Sequence, residues 1–273
     1  MSVYVVSGVS RGIGYAFLTE LTKDTQNTVI GLVRDRAGTA KKVSEDETMK
    51  GRSNYHLVTA ELTNYESLKK AAAEVSTITS GAIDYLIASA GYVSLFDTLD
   101  PLSYLGETQP KELEEDMKKS FDVNVVGQVH LINLFLPLVL KGKAKKVISL
   151  TTGFADLDFT NENTVYTAAG YSVSKAAMNM AIAKYNAYFG EQGVHFLSVT
   201  PGAVEVGMYK DCTPEQMAKL TPLWAKFAAY QPNFKGPVTP EHAVRDMKAV
   251  WESTTAQKDG GAFLSQFGNK QWL

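Results

Sequence analysis

A chain of 273 residues with 45% hydrophobic side chains is long enough to bury one large core. Its formal net charge of −2 gives no global electrostatic case for binding nucleic acid or an acidic membrane surface. Cys212 is the only cysteine, which excludes an intrachain disulfide, suits a reducing compartment and makes a cytoplasmic protein the expectation.

The first apolar run, 3–7, predicts a buried parallel strand and is cut off by Ser7-Gly8, well short of a membrane span. Gly8-x-x-x-Gly12-x-Gly14 follows, and then Tyr15 to Leu21 with helical apolar spacing. Strand, glycine turn and helix bring backbone N–H groups to the positive end of the helix, where a pyrophosphate can sit. Gly8 and Gly12 let backbone approach the phosphates, Gly14 lets the helix pack on the sheet, and Ser10, Arg11 and Ile13 complete the turn. The spacing differs from Gly-x-Gly-x-x-Gly.

A second strand, 28–33, ends Val33-Arg34-Asp35-Arg36. Further strands are expected at 55–59, 83–88, 146–150, 195–199 and 262–264, with long helices over 112–140 and 169–192. Pro137 is expected to kink or end the first of these helices. The alternation predicts an α/β fold: a single-domain doubly wound parallel sheet, Rossmann-like, of about seven strands with helices on both faces. No linker or repeat divides 1–273. In such sheets ligands bind at the carboxyl ends of the strands, where Gly8, Arg34, Glu61, Ser89, Thr151, Thr152 and Pro201 all fall. The basic run Lys141 to Lys146 reads as a solvated helix end, and the four scattered histidines give no metal-ligand spacing.

Tyr171 and Lys175 stand four residues apart, one helical turn, so both side chains emerge on one face. A tyrosine ordinarily loses its proton near pH 10. A lysine cation beside it favours the phenolate and suits it to acid–base work near neutrality.

With the glycine turn, Ser89-Ala90-Gly91, Asn124 in Phe121 to Gly127, and Pro201-Gly202, this pair makes the chain resemble the short-chain dehydrogenase/reductase family. The likeness runs from Ser2 to about Gly268. Thr151 to Asp158 and Gly268 to Leu273 resemble a fungal carbonyl reductase group within that family.

The resemblance implies that Tyr171 gives a proton to a carbonyl oxygen, that Lys175 lowers its pKa and binds the nicotinamide ribose, and that Asn124 holds a water. Where relatives carry serine to orient the substrate oxygen, Thr152 aligns, with Thr151 one residue earlier as the alternative. Nineteen positions separate Thr152 from Tyr171, a wider spacing than the family's, which implies a longer pocket loop at 154–167.

The same resemblance implies a nicotinamide dinucleotide held by Gly8, Ser10, Arg11, Gly12, Ile13, Gly14, Arg34, Glu61, Leu62, Ser89, Ala90, Gly91, Asn124, Tyr171, Lys175, Pro201, Gly202 and Val204. Arg34 stands where NADP(H)-dependent relatives carry a base, and Val33 where NAD-dependent ones carry an acid. Glu61 takes the position of an acid that contacts adenine. Val206 replaces a threonine that often contacts the nicotinamide amide, which leaves backbone at Val204 to do so.

Met208, Tyr209, Met217, Leu223, Trp224, Phe227 and Tyr230, within 203–235, predict an apolar or aromatic pocket, with Tyr92, Leu95 and Phe96 as its other wall. Met178, Ala181, Ile182 and Tyr185 fit either a core stripe or the helix interface of a homodimer or homotetramer. The expected activity is reduction of a small-molecule carbonyl by NADP(H). The alternative is a redox-silent isomerase, dehydratase or cyclase on the same fold, motivated by Thr152 and Val206. No metal, nucleic acid or membrane partner is expected.

Overall fold

Seven strands, β1 (Val3–Ser7), β2 (Thr28–Val33), β3 (Tyr55–Thr59), β4 (Tyr85–Ala88), β5 (Lys146–Leu150), β6 (His195–Val199) and β7 (Phe263–Leu264), pair in the order β3-β2-β1-β4-β5-β6-β7. Every pairing is parallel. The computed structural model describes residues 1–273. Between the strands run α1 (Gly12–Leu21), α2 (Arg36–Glu45), α3 (Tyr65–Ile78), α4 (Leu95–Thr98), α5 (Leu102–Thr108), α6 (Pro110–Phe121) and α7 (Gly127–Val139). The remaining helices are α8 (Leu157–Glu162), α9 (Ala169–Phe189), α10 (Pro214–Tyr230), α11 (Pro240–Ser253) and α12 (Ala256–Asp259).

Burial on both faces explains why the strands read as continuous apolar runs, without alternation. One face packs against α1 and α11, with Phe17 and Trp251 in ring contact at 5.6 Å between centroids. The other packs against α3, α7 and α9 through Leu68, Leu131, Phe135, Met178 and Ile182. Truncating Phe135, which is fully buried, to alanine would cost about 3–5 kcal/mol. Met178 and Ile182 are therefore core residues, and Ala181 and Tyr185 pack against that same core.

Two strands are shorter than the apolar pattern suggests. Ile83 falls outside β4 because its N–H donates to the Leu138 carbonyl, at 3.1 Å, and not to a neighbouring strand. Ala262 falls outside β7 because its N–H closes the turn after α12 on Asp259, at 3.0 Å. Pro137 lies inside α7 without ending it, two residues before Val139.

The long helix expected over 112–140 is not uniform. A π-turn at Asp122–Val126 separates α6 from α7 and surrounds the fully buried Asn124. Gly127 follows because a Cβ there would lie 2.7 Å from the Leu62 carbonyl oxygen. The whole run Pro110–Val139 is long and apolar enough to cross a membrane by composition, but half of its most apolar window is buried inside the protein.

Candidate active site

Because all strands run the same way, their carboxyl ends share one edge, and the loops leaving that edge build the site. Gly8, at φ 79°, packs so closely on the β4 loop that a Cβ would lie 2.9 Å from Ala90 Cα. The Ala90 N–H donates to Ser7 Oγ at 3.1 Å, which locks the two loops together. Gly14 allows α1 to start directly over Gly8, whose carbonyl oxygen a Cβ would meet at 2.2 Å. Gly12 brings the same turn beside Val206, in the segment after β6.

Residue Arg11 precedes α1 without capping it through its side chain, and the first turn carries no acidic residue. Its orphan N–H groups are thus left to an anion, as the pyrophosphate of a dinucleotide would require. The glycine cradle fits such a group. Leu62 reaches the site's floor through its carbonyl beside Gly127. Ser89 and Gly91 lie in the loop after β4, and Pro201, Gly202 and Val204 in the loop after β6, where Val204 bridges to Val238.

At the end of β2, Asp35 turns away and caps α2, accepting from the Gly38 N–H at 2.9 Å. Arg34 is largely exposed and forms a loose ion pair with Glu61 at 3.8 Å. The sequence reading missed a third cation. The Lys42 ammonium donates to the Ser10 carbonyl at 3.1 Å and sits 4.0 Å from the centre of the Tyr15 ring. Nothing in local spacing signals it, since the contact joins residues 32 positions apart.

The four expected catalytic residues converge from three segments: the π-turn with Asn124, the end of β5 with Thr152, and α9 with Tyr171 and Lys175. Thr152, just past β5, lies beside the Tyr171 phenol and lowers its pKa, and its hydroxyl accepts from the Phe154 N–H at 3.3 Å. Thr151 is buried, and its hydroxyl has no partner. Of the two threonines, Thr152 is the one beside Tyr171. Lys175 donates to the Leu150 carbonyl at 2.8 Å, and its ammonium lies 5.8 Å from the centre of the Tyr171 ring.

The expected electrostatics of this pair needs correction. Burial pushes the Tyr171 phenol up to about 12, with the charges of Asp97 and Tyr209 adding to the rise and only the neighbouring Thr152 hydroxyl opposing it. Burial likewise pushes Lys175 down to about 8. Desolvation is the largest cause of both shifts. Tyr171 is therefore held as an acid.

Asn124 also has a structural role. Its side-chain carbonyl accepts from the Tyr92 N–H at 2.7 Å, and its amide donates to the Tyr92 carbonyl at 2.8 Å and to Ser174 Oγ at 3.0 Å. Both amide protons are committed, so the side chain ties α9 to the β4 loop.

Beside Thr152 opens a cavity of about 190 Å³, lined by Phe154, Phe159, Tyr209, Leu223, Trp224, Phe227, Trp272 and others. Trp224 and Phe227 meet edge-on at 5.6 Å, and Trp224 stacks with Phe234 at 6.3 Å. Met208 lines it too, whereas Met217 and Tyr230 do not. Tyr92, Leu95 and Phe96 do not form its other wall, since the Tyr92 hydroxyl turns to Asp116 at 2.8 Å.

That wall is the C-terminal segment. Trp272 stacks on Phe263 at 4.4 Å and packs so tightly on Gly153 that a Cβ there would lie 2.7 Å from the indole's own Cβ. Lys270 pairs with Asp156, at the start of α8, at 3.2 Å. The loop 154–167 is consequently ordered around α8.

A glycine cradle under α1 and a phenol–lysine pair at the same sheet edge, its lysine buried, define a dinucleotide-dependent oxidoreductase. The chain belongs to the short chain dehydrogenase family, whose description it matches over residues 2–217, and members of that family use NAD(P)(H). It is 50% identical over 274 residues to "Short chain dehydrogenase virK" of Hypocrea virens, covering 100% of both chains. It is 48% identical over 275 residues to "Short-chain dehydrogenase/reductase iacC" of Pestalotiopsis fici, again covering 100% of both. Its fold matches the NADPH-bound carbonyl reductase from chicken fatty liver with a TM-score of 0.76 at 22% identity, over 98% of each chain.

Proposed function

We propose that the protein reduces an apolar, aromatic ketone or aldehyde with NADPH. The observation that carries this reading is the placement of Thr152 beside Tyr171 at the edge of an aromatic cavity. Bound nicotinamide cofactor would supply the hydride. Thr152 would hold the substrate oxygen, and Tyr171, protonated up to about pH 12, would donate the proton as charge develops on that oxygen. A phenol kept as an acid favours the reductive direction. The flat faces of Phe154, Trp224, Phe227 and Trp272 suit a planar substrate whose only polar end is the carbonyl.

Preference for NADPH over NADH is supported by Arg11, Arg34 and Lys42 around the glycine turn and the end of β2, with Asp35 already committed to α2. The Arg34–Glu61 pair is exposed and long, so it opposes phosphate binding weakly. Homo-oligomer formation is part of the same proposal. Val173, Met180 and Tyr188 of α9 are exposed, at 43%, 60% and 74%, and would meet a second copy.

The test is consumption of NADPH absorbance with a panel of aromatic ketones, aldehydes and quinones, run in parallel with NADH. Turnover with NADPH supports the reading. Cofactor binding with no oxidation on any carbonyl, and conversion of a substrate without net redox change, would replace it with the isomerase alternative.

A further inference from the structure

The catalytic helix α9 starts without a cap of its own. Ala168 precedes it at φ 53°, in the left-handed region, and offers no side-chain acceptor to the first-turn N–H groups. The acceptor comes from α4 instead. Asp97 Oδ2 accepts from the Tyr171 N–H at 3.0 Å, and the Asp97 backbone carbonyl accepts from the Ala168 N–H at 2.8 Å. Asp97 is 1% exposed.

A second carboxyl shares this place. Asp116 of α6 is 7% exposed, and its Oδ1 accepts from the Tyr92 hydroxyl at 2.8 Å. A Cβ on Gly170 would lie 3.2 Å from Asp97 Oδ2 and 3.6 Å from Asp116 Oδ2, so both carboxyls cover the first turn of α9 and only glycine leaves them room. Asp97 Oδ1 and Asp116 Oδ2 are buried with no hydrogen-bond partner.

These contacts close a loop. The Tyr171 N–H goes to Asp97, and the Tyr171 carbonyl accepts from Ser174 Oγ at 2.7 Å. Ser174 Oγ accepts from Asn124, Asn124 grips the Tyr92 backbone, and the Tyr92 hydroxyl returns to Asp116. Both backbone groups of Tyr171 are therefore bonded to buried side chains, the N–H to Asp97 from α4 and the carbonyl to Ser174 in its own turn.

We propose that Asp97 is the positioning residue for Tyr171, acting with Asp116 as a coupled carboxyl pair across the first turn of α9. Two carboxylates in one dry place resist ionising together, so Asp97 keeps its proton to a higher pH than a lone aspartate would. Burial first, and then the Asp116 charge, push Asp97 up, while the Tyr171 and Gly170 amides oppose the rise. The other titratable groups facing the pair are Tyr92 from the β4 loop, whose ring carries the Lys119 ammonium of α6 at 4.4 Å, and Tyr171 itself. The negative charge on Asp97 disfavours the phenolate of Tyr171 and keeps it a proton donor.

The proposal rests on the reading of Tyr171 as the acid, and the test separates the two. On the full-length chain labelled with 15N-tyrosine, with the Tyr171 amide assigned by Tyr171→Phe, that amide proton should titrate with a midpoint above the free aspartate range. Asp97→Asn should abolish the titration, and Asp116→Asn should lower its midpoint. With NADPH and 9,10-phenanthrenequinone as probe, Asp97→Asn keeps an acceptor oxygen and should leave the NADPH KM unchanged while moving the alkaline limb of kcat to lower pH. Asp97→Ala, which has no acceptor, should lose on the order of tenfold to a hundredfold in kcat. A Tyr171 amide that does not titrate, or a midpoint that ignores Asp116→Asn, overturns the pair. An intact amide titration in a protein that turns over no carbonyl would uphold the pair and refute the reductase reading.

Discussion

The Thr152 hydroxyl lies beside the Tyr171 phenol and is the one neighbour that eases loss of its proton. Thr151, its neighbour, points into the protein with a hydroxyl that bonds to nothing. Thr152→Val should therefore cut kcat on the order of 10²-fold or more, whereas Thr152→Ser should stay active. Thr151→Val removes an orphan polar atom and should leave kcat unchanged while holding or raising Tm. Steady-state kinetics and thermal melts on the three variants check this ranking, and its reversal would mean the two threonines exchange roles.

Replacing Tyr171 by phenylalanine removes the phenolic proton and little else. We predict a loss of roughly 10²–10⁴ in kcat with NADPH affinity retained, measured by cofactor fluorescence titration beside turnover. Near wild-type turnover would remove Tyr171 from the chemistry.

Lys175 is 5% exposed, and burial depresses it from 10.5 to about 8. A lysine whose folded pKa is lowered destabilises the fold fully below about pH 8, and the penalty fades as pH rises toward 10.5. Lys175→Met should therefore raise stability by roughly 1–3 kcal/mol at pH 7, after allowing for the lost bond to Leu150, while abolishing turnover. Urea melts at pH 7 and pH 10 should show the gain at the lower pH and a smaller one at the higher.

Removing Arg34 or Lys42 takes a cation from the place proposed for the 2′-phosphate. Each alanine variant should raise the KM for NADPH about tenfold, in keeping with roughly 1.5–3 kcal/mol for a charge-assisted bond, and barely change that for NADH. Equal effects on both cofactors would place the discrimination elsewhere.

Trp272→Ala should open the cavity on its Gly153 side and raise the KM for planar aromatic carbonyls more than for small aliphatic ones. Gly153→Ala should damage the same wall from the other direction, because its methyl would stand 2.7 Å from Trp272 Cβ. A substrate profile unchanged in both variants would exclude the C-terminal segment from substrate recognition.

Local pattern was enough for much of the molecule. β1, β2, β3, β5 and β6 follow the apolar runs to the residue, because strands buried on both faces leave an unbroken hydrophobic signature. The Gly8–Gly14 turn and the Tyr171–Lys175 spacing were likewise legible, since each is a short-range constraint that only certain residue types satisfy. What the sequence could not decide depends on contacts between distant segments. Whether burial or the lysine sets the Tyr171 proton is a question of desolvation, which no local spacing reports. The capture of Asn124 by Tyr92, the cap that Asp97 places on α9 from 74 positions away, and the pocket wall made by Trp272 against Gly153 arise only when the sheet brings its loops to one edge. A side chain's type is written in the sequence, but its solvent and its partners are supplied by the tertiary fold.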